Sequence, residues 1–545
     1  MSFSVLADEQ GTGEGRDGGE ADEGAEGHGR GHFLHETVLF LVKKGRKSTF
    51  SCNFFGRGSE YSVYLHKNCI MNELFIARER ECSELKRCLE SNRSELAIVY
   101  GRRRVGKTYL IENFFENKFD FKFVGTRNQN TRVQLANFAR TLKRFSGQSV
   151  GTLKTWSDAF FALEEYLETL PKDSKKVVFF DEMPWIDTKR SDFVSALEYF
   201  WNSWAVSQRN IFFVGTGSAT SWMIDKLISN KGGLHGRITA RIHVSPFTLN
   251  EVEKYLRGLG CRWDRLQILQ SYMLLGGVPF YYSQVEPDDS LGQNIDRLFF
   301  RDDGALRVEF DELYPALFSN SDIYVSVAKL LCENKAGLTY KEIAKGVKIE
   351  GGKLSKVLKN LERCDFIEKW VQYGHKKHET IYRIVDFFTI FYHKFVEPNN
   401  SRDEQWWAKH MNEQSVTSWM GLSFELVCML HHQQIKRALH IDTISTSIST
   451  WHQKGDDNKR GAQIDLIIER GDRTIHVCEM KFSRGKFTIS KDYEERLMNR
   501  EALFQAATKK DHTIVHTFVT TYGVTDGKHK SIVHSEVTMD DLFNS

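Results

Sequence analysis

The sequence lacks the marks of several protein classes. Its nine cysteines are scattered, with no CxxC pair and no histidine spaced as a co-ligand. This excludes a disulfide framework and a zinc-ribbon type of site, so the expectation is reduced thiols in a cytoplasmic protein. No apolar run reaches the roughly 18 residues that a spanning helix needs. The stretch "TVLFLV" from Thr37 is too short, and lies too far in, for a signal peptide. Charge of one sign is missing too. The chain carries 75 Lys and Arg against 72 Asp and Glu, a formal net charge of +3 over 545 residues. No global field draws it to nucleic acid, and any such surface must be a local patch. There is no internal repeat.

What remains is an ordinary globular composition, 41% hydrophobic and 27% charged, on a chain too long for one core. Residues 1–70 open with "GTGEGRDGGEADEGAEGHGRG", which cannot bury enough surface to fold. Residues 33–70 promise weak structure at best. These first 70 residues are expected to be an extension or the product of a mis-called start. "MNELFIARERECSELKRCLE" then begins a helical period at Met71, with Leu85 and Leu89 on one face. From Glu95 onward strands ("ELAIVY", "KKVVFFDE", "NIFFVGTGS") alternate with helical segments, the pattern of a parallel sheet with helices on both faces.

"GRRRVGKT", Gly101 to Thr108, satisfies GxxxxGK[ST] in full, after a strand and before the helix "TYLIENFF". Gly101, Arg102, Arg103, Arg104, Val105, Gly106, Lys107, Thr108 and Tyr109 are the candidate nucleotide-binding residues. The glycines let backbone wrap a phosphate, the helix start supplies free N–H groups, Lys107 reaches the β- and γ-phosphates, and Thr108 offers its hydroxyl to Mg²⁺. ATP and Mg²⁺ are therefore the expected cofactors. Asp181 ends the strand "VVFFDE" as the second metal ligand, and Glu182 beside it can polarise the attacking water. Thr216 or Ser218 in "GTGS" is a candidate sensor of the γ-phosphate. Arg237 or Arg241 in "LHGRITARI" is a candidate arginine finger.

These segments, with "FIARERE", "FFDEMPW", "GTGSATSWM", "SPF" and "GGVPFYY", resemble the archaeal-type P-loop ATPases of the STAND branch of the AAA+ class. The resemblance runs from about Met71 to Phe543. It implies that "FIARERE" lies near the nucleotide base, and that "GGVP" belongs to a helical domain after the ATPase core. Family members usually carry glycine where this chain has Ala77.

Residues 322–385 read as three helices and a hairpin, the pattern of a winged helix. Lys353, Lys356 and Lys359 share one helix face, and His375, Lys376, Lys377 and His378 sit in the wing. Such a face can neutralise DNA phosphates; a solvated lysine face on a hinge domain is the competing reading. "DFFTIFYHKFV" is an aromatic helix, and "EPNNSRDE" is a loop. Near the end, "QIDLIIE" and "TIHVCEMKF" read as strands joined by "RGDR". Glu479 and Lys481, two apart, point to one face, and the hairpin brings that face beside Asp465. Asp465 and Glu479 are candidate metal ligands, and Lys481 can position a water and stabilise phosphate charge. This matches the D…ExK core of restriction-endonuclease-like nucleases, a resemblance that implies Glu425 in "GLSFELVCML" as a further helix acid.

The expected architecture is an extension (1–70), a P-loop ATPase core (71–250), a helical lid-like domain (251–320), a winged helix (321–400) and a PD-(D/E)xK nuclease-like α/β domain (401–545). The expected function is a nucleotide-switched ATPase with a nuclease effector, having DNA and further copies of itself as partners. The alternative is a regulatory scaffold with a degenerate nuclease fold. A transporter-type NTPase is not supported, for want of a membrane segment.

Overall fold

A computed structural model of the chain describes residues 40–44 and 47–51. It also describes residues 75–544, apart from 190, 230–231, 319, 375–379, 454–460 and 509–510. The chain divides into two units, Met1–Cys69 and Ile70–Ser545. In the first, strand β1 (Phe40–Lys44) pairs antiparallel with β2 (Lys47–Ser51), a hairpin within a segment whose sequence suggests weak structure only.

In the second unit the first helix is Glu79–Leu89, starting later than the period from Met71 suggests. Ala77 and Arg78 stand at φ +67° and +69°, the left-handed region, so no right-handed helix can run through them. The same geometry is the physical reason a glycine suits the position of Ala77.

Five strands form a wholly parallel sheet: β3 (Glu95–Tyr100), β4 (Phe121–Val124), β5 (Lys176–Asp181), β6 (Ile211–Gly217) and β7 (Ala240–His243), in the order β4-β5-β6-β3-β7. β4 and β7 are additions to the three strands legible in sequence. Helices cover both faces, so β5 is buried throughout and its residues alternate between two cores. Phe180 stacks with Phe160 and Phe213 on one side, while Phe179 packs with Phe115 and Phe212 on the other. Truncating Phe180 to Ala should cost about 3–5 kcal/mol. This burial fixes the end of β5, where Asp181 stands.

Beyond the sheet, helices Leu249–Gly258, Arg265–Leu275 and Ala305–Leu317 lead to a small antiparallel sheet. It has β8 (Leu338–Thr339), β9 (Ile367–Val371) and β10 (Thr380–Ile384) in the order β8-β10-β9. Helices Ser321–Glu333, Tyr340–Val347 and Gly351–Arg363 accompany it. The aromatic segment forms helix Phe387–Phe391 and a π turn to Val396. Helix Gln414–Leu430 then precedes a second five-stranded sheet: β11 (Thr446–Gln453), β12 (Ala462–Arg470), β13 (Thr474–Lys481), β14 (Thr513–Thr520) and β15 (Ser535–Thr538), in sequence order. The first two pairings are antiparallel and the last two parallel. One hydrophobic core runs from Leu249 through Tyr281, Phe388 and Trp419 to Phe543, so the small sheet and the terminal sheet are packed on common ground.

Candidate functional sites

The first site is built at the carboxyl end of the parallel sheet. Two glycines make its loop. A Cβ on Gly101 would lie 2.3 Å from the Val244 carbonyl oxygen. Gly106 stands at φ +87° and starts helix Lys107–Phe114. Lys107 Nζ donates to the carbonyls of Gly101 (3.0 Å) and Arg102 (2.9 Å) and to Ser218 Oγ (3.0 Å). Burial lowers its ammonium to about 8, against the pull of Glu182 and Asp181. Thr108 Oγ1 lies 3.0 and 3.1 Å from the two Asp181 oxygens. Asp181 also accepts from the Thr216 hydroxyl and from the Glu182 N–H. Burial raises its carboxyl above the usual range, opposed by those hydroxyls. Glu182 Oε1 accepts from Ser218 Oγ (2.5 Å) and Oε2 from Ser218 N–H (3.0 Å). The two candidate sensors are thus divided: Thr216 holds Asp181, and Ser218 stands between Lys107 and Glu182.

The three loop arginines pair with acids from later parts of the chain. Arg102, fully buried, pairs with Asp386 at 2.7 Å. Arg104 binds both oxygens of Glu309 (3.0 and 2.7 Å) and lies over the Phe280 ring. Arg103 approaches Glu312 at 3.8 Å. Sequence reading gave all three to the nucleotide; in the structure Arg103 and Arg104 line the cavity and Arg102 does not. The cavity, about 500 Å³, is walled by Phe75, Ile76, Tyr109, Phe247, Tyr255 and Phe280, with Val105 and Glu182 also lining it. That apolar end suits a flat base, next to the phosphate loop. Arg237 and Arg241 are exposed, and neither lines this cavity. Hard oxygen donors from Thr108 and Asp181, side by side, fit Mg²⁺.

The second site lies where β12 and β13 pass helix Gln414–Leu430. The hairpin ladder ends at Leu466 opposite Cys478, and Asp465 and Glu479 follow one residue beyond. Between Ser449–Trp451 of β11 and Ile464–Ile467 of β12 the register slips by one residue. This bulge, at Asp465 and Leu466, re-aims the aspartate. Asp465 Oδ1 accepts from Gln463 Nε2 (2.6 Å) and lies 3.6 Å from Arg383 Nη2. Glu479 is buried, and it accepts from the Tyr493 hydroxyl and Arg500 Nη2, with Lys481 Nζ 2.7 Å away. Burial alone would raise the Glu479 carboxyl, but Arg500 and Lys481 outweigh it and hold it at about 2. Glu425 goes the other way. Burial and then the charge of Asp465 push it up to about 7.

The structure therefore brings Glu425, Asp465, Glu479 and Lys481 into one neighbourhood. It adds Arg383, Gln463, Tyr493 and Arg500, which sequence reading did not find. Tyr493 and Arg500 are seven apart on helix Lys491–Thr508, a spacing that would have marked them as one face. Nothing in sequence points to Arg383. Among the described residues, no three His, Cys, Asp or Glu side chains already converge as a metal cage. The carboxylate oxygens are nevertheless the hard donors that Mg²⁺ takes. On the middle module, Lys359 lies 3.8 Å and Arg363 2.9 Å from Asp225 of the ATPase part, while Lys353 and Lys356 are exposed. The wing residues His375, Lys376, Lys377 and His378 lie outside the described residues. No helix among the described residues is long and apolar enough to cross a membrane.

Comparison with known proteins agrees with the first site. Residues 75–284 match the model of an ATPase domain family found predominantly in Archaea. An uncharacterized protein of Methanocaldococcus jannaschii is 25% identical over 415 residues, 75% of this chain and 88% of its own length. An uncharacterized ATP-binding protein of the same organism is 51% identical over 45 residues, 8% of this chain and 76% of its own. Among solved structures, a Walker-type ATPase of Pyrococcus abyssi aligns with TM-score 0.44 at 22% identity, over 58% of this chain and 95% of that one. With the strand–loop–helix cradle, Lys107, and the acids at the end of β5 in place, residues 75–284 belong to the ATPase domain family found predominantly in Archaea.

Proposed function

We propose that the chain is an ATPase whose nucleotide state governs a C-terminal, metal-dependent, nuclease-like domain acting on nucleic acid, with a winged helix (321–400) between them. The observation that carries the nuclease half is that Glu425 and Asp465 line one cavity, while Glu479, paired with Lys481, stands on the adjoining strand just past the end of the β12–β13 ladder. The arrangement of β8–β10 with their three helices supports the winged-helix reading. Among the described residues its DNA surface narrows to the Lys353 and Lys356 end, because Lys359 and Arg363 are engaged with Asp225.

At the nucleotide site, Lys107 leaves its carbonyl acceptors for the phosphate oxygens. Thr108 and Asp181 would hold Mg²⁺, which would supply charge neutralisation at the phosphates. Ser218 releases Glu182, whose carboxylate then takes a proton from the attacking water. Arg237 is exposed and does not line the cavity of its own chain, so its finger role is toward a neighbouring copy. At the terminal site, Asp465 and Glu479 would hold the metal, which supplies charge stabilisation at the scissile phosphate. Lys481 positions the water, and Glu425 is auxiliary. The experiment is a cleavage assay with purified protein, Mg²⁺ or Mn²⁺, with and without ATP, on single- and double-stranded DNA and RNA. Cleavage that vanishes in Asp465→Ala supports the reading.

A second reading is a nucleotide-switched scaffold with a degenerate nuclease fold. One observation favours it: Arg383, Arg500 and Lys481 already neutralise the two carboxylates. Absence of cleavage by the wild type on every substrate would select it.

A further inference from the structure

The two sites are joined by four residues at the end of β10. Arg383, only 7% exposed, is held on all sides. Its Nε donates to the Ala336 carbonyl (3.0 Å), its Nη1 lies 3.0 Å from Met429 Sδ, and its Nη2 reaches Asp465. It lines a cavity of about 190 Å³ together with Glu425, Gln463 and Asp465. A planar cation therefore stands against the aspartate, at the cavity that the carboxylate also lines. Two cations a few ångströms apart in a buried site repel strongly, so the guanidinium and a divalent ion compete.

Three residues on, Asp386 faces the other site. Its Oδ1 accepts from Arg102 Nη1, and its Oδ2 accepts from the N–H (3.1 Å) and hydroxyl (2.5 Å) of Thr389. Arg102 has little freedom. Its guanidinium lies 4.3 Å from the centre of the Phe366 ring. Among the described residues its Nε and Nη2 have no hydrogen-bond partner, and its carbonyl accepts from Lys107. Phosphate that draws Lys107 away removes one tie on Arg102. The path from phosphate to carboxylate is then continuous: Lys107, Arg102, Asp386, Arg383, Asp465.

We propose that Arg383 is a built-in counter-cation that a divalent ion must displace from Asp465, and that this displacement is transmitted through Asp386 and Arg102 to the phosphate loop. The proposal rests on the reading of Asp465 as a metal ligand. Such coupling is read as a change of affinity at one site caused by the other.

The test uses the full chain. Mn²⁺ binding is titrated by electron paramagnetic resonance without nucleotide, and repeated in Asp181→Asn so that an ion at the first site is not counted. Binding of a fluorescent ADP analogue is measured separately in EDTA. Arg383→Gln is expected to bind Mn²⁺ about tenfold tighter, the size of one removed charge repulsion in a partly screened site. It should also shift the metal-free ADP affinity about fivefold, the low end of measured couplings. Mn²⁺ affinity equal to or below the wild type overturns the counter-cation, and an unchanged ADP affinity overturns the transmission. If Arg383→Gln does not fold, Arg383→Met removes the charge and keeps a long unbranched side chain beside Met429. It should bind Mn²⁺ more tightly than the wild type, and no gain there overturns the proposal equally. The double variant Arg383→Gln/Asp465→Asn separates the two claims. Tight Mn²⁺ binding that survives it refutes the metal reading of Asp465, and the inference with it. Loss of the ion in the double variant, beside no gain in Arg383→Gln alone, refutes the inference and leaves the metal reading standing.

Discussion

The nucleotide site and the terminal carboxylate site both hold buried or half-buried acids, but they hold them differently. Around Asp181 and Glu182 the partners are neutral hydroxyls of Thr108, Thr216 and Ser218, with Lys107, among the described residues, the one cation hydrogen-bonded to that network. Around Asp465 and Glu479 three cations, Arg383, Arg500 and Lys481, stand beside the neutral partners Gln463 and Tyr493. A hydroxyl can turn to a metal or a phosphate without leaving a charge unpaired. A guanidinium that is displaced must find a new partner, because an unpaired buried charge is costly. The first site is therefore ready for a metal–nucleotide complex, and the second is internally neutralised until something moves.

Four outcomes sharpen this contrast, the largest first. Lys107→Ala removes the buried cation that holds the loop carbonyls and Ser218, so ATP hydrolysis should disappear and nucleotide affinity should fall at least about a hundredfold, by loss of a buried charge–phosphate pair. Isothermal titration and a phosphate-release assay check both, and wild-type values would refute the loop assignment. Next, Glu182→Gln should keep nucleotide bound while turnover falls by about 10²–10⁴, the usual weight of general-base assistance. Loss of binding instead would mean that Asp181 and Glu182 have each other's roles.

The third concerns the terminal site. Asp465→Ala, Glu479→Ala and Lys481→Ala should each remove metal-dependent cleavage and leave the turnover of saturating ATP without nucleic acid within about threefold, since the coupling through Arg383 is expected in affinity. The first two should also weaken metal binding, whereas Lys481→Ala should not. Glu425→Ala should give a partial loss.

The smallest effect is one of pH. Lys107 titrates near 8 in the free protein, and a bound phosphate favours its charged form. Nucleotide affinity should thus be fully present below about pH 8 and fall as pH rises through it, by up to about tenfold per unit. The same titration in Lys107→Arg, charged throughout, should be flat over that range. An equally steep fall there would assign the pH dependence to another group.

How much of each site was legible follows from the same contrast. The loop "GRRRVGKT" is eight contiguous residues whose function lies in backbone geometry, so its glycines, lysine and threonine announce it, as does the acid pair closing "VVFFDE". The D…ExK spacing could be read because a hairpin is a local object. The roles of the three loop arginines could not. Arg102 meets Asp386 across 284 positions, and Arg104 meets Glu309 across 205. Strands β4 and β7 were missed because each is only four residues long. The later start of the first helix turns on two left-handed residues, one of them an alanine, where composition gives no warning.

By itself the sequence determined a phosphate-binding loop between a strand and a helix, two acids at a strand end, and a hairpin carrying two carboxylates and a lysine. In each case the residues are neighbours along the chain, and the backbone's own geometry brings them together. Only the tertiary structure decided that Arg383 stands at Asp465, that Arg500 and Tyr493 hold Glu479, that a bulge turns Asp465, and that Asp386 ties β10 to the phosphate loop. Those contacts join elements far apart in sequence. They arise from how shared cores pack, and a pairing made only by packing leaves no periodicity or spacing in the chain to be read beforehand.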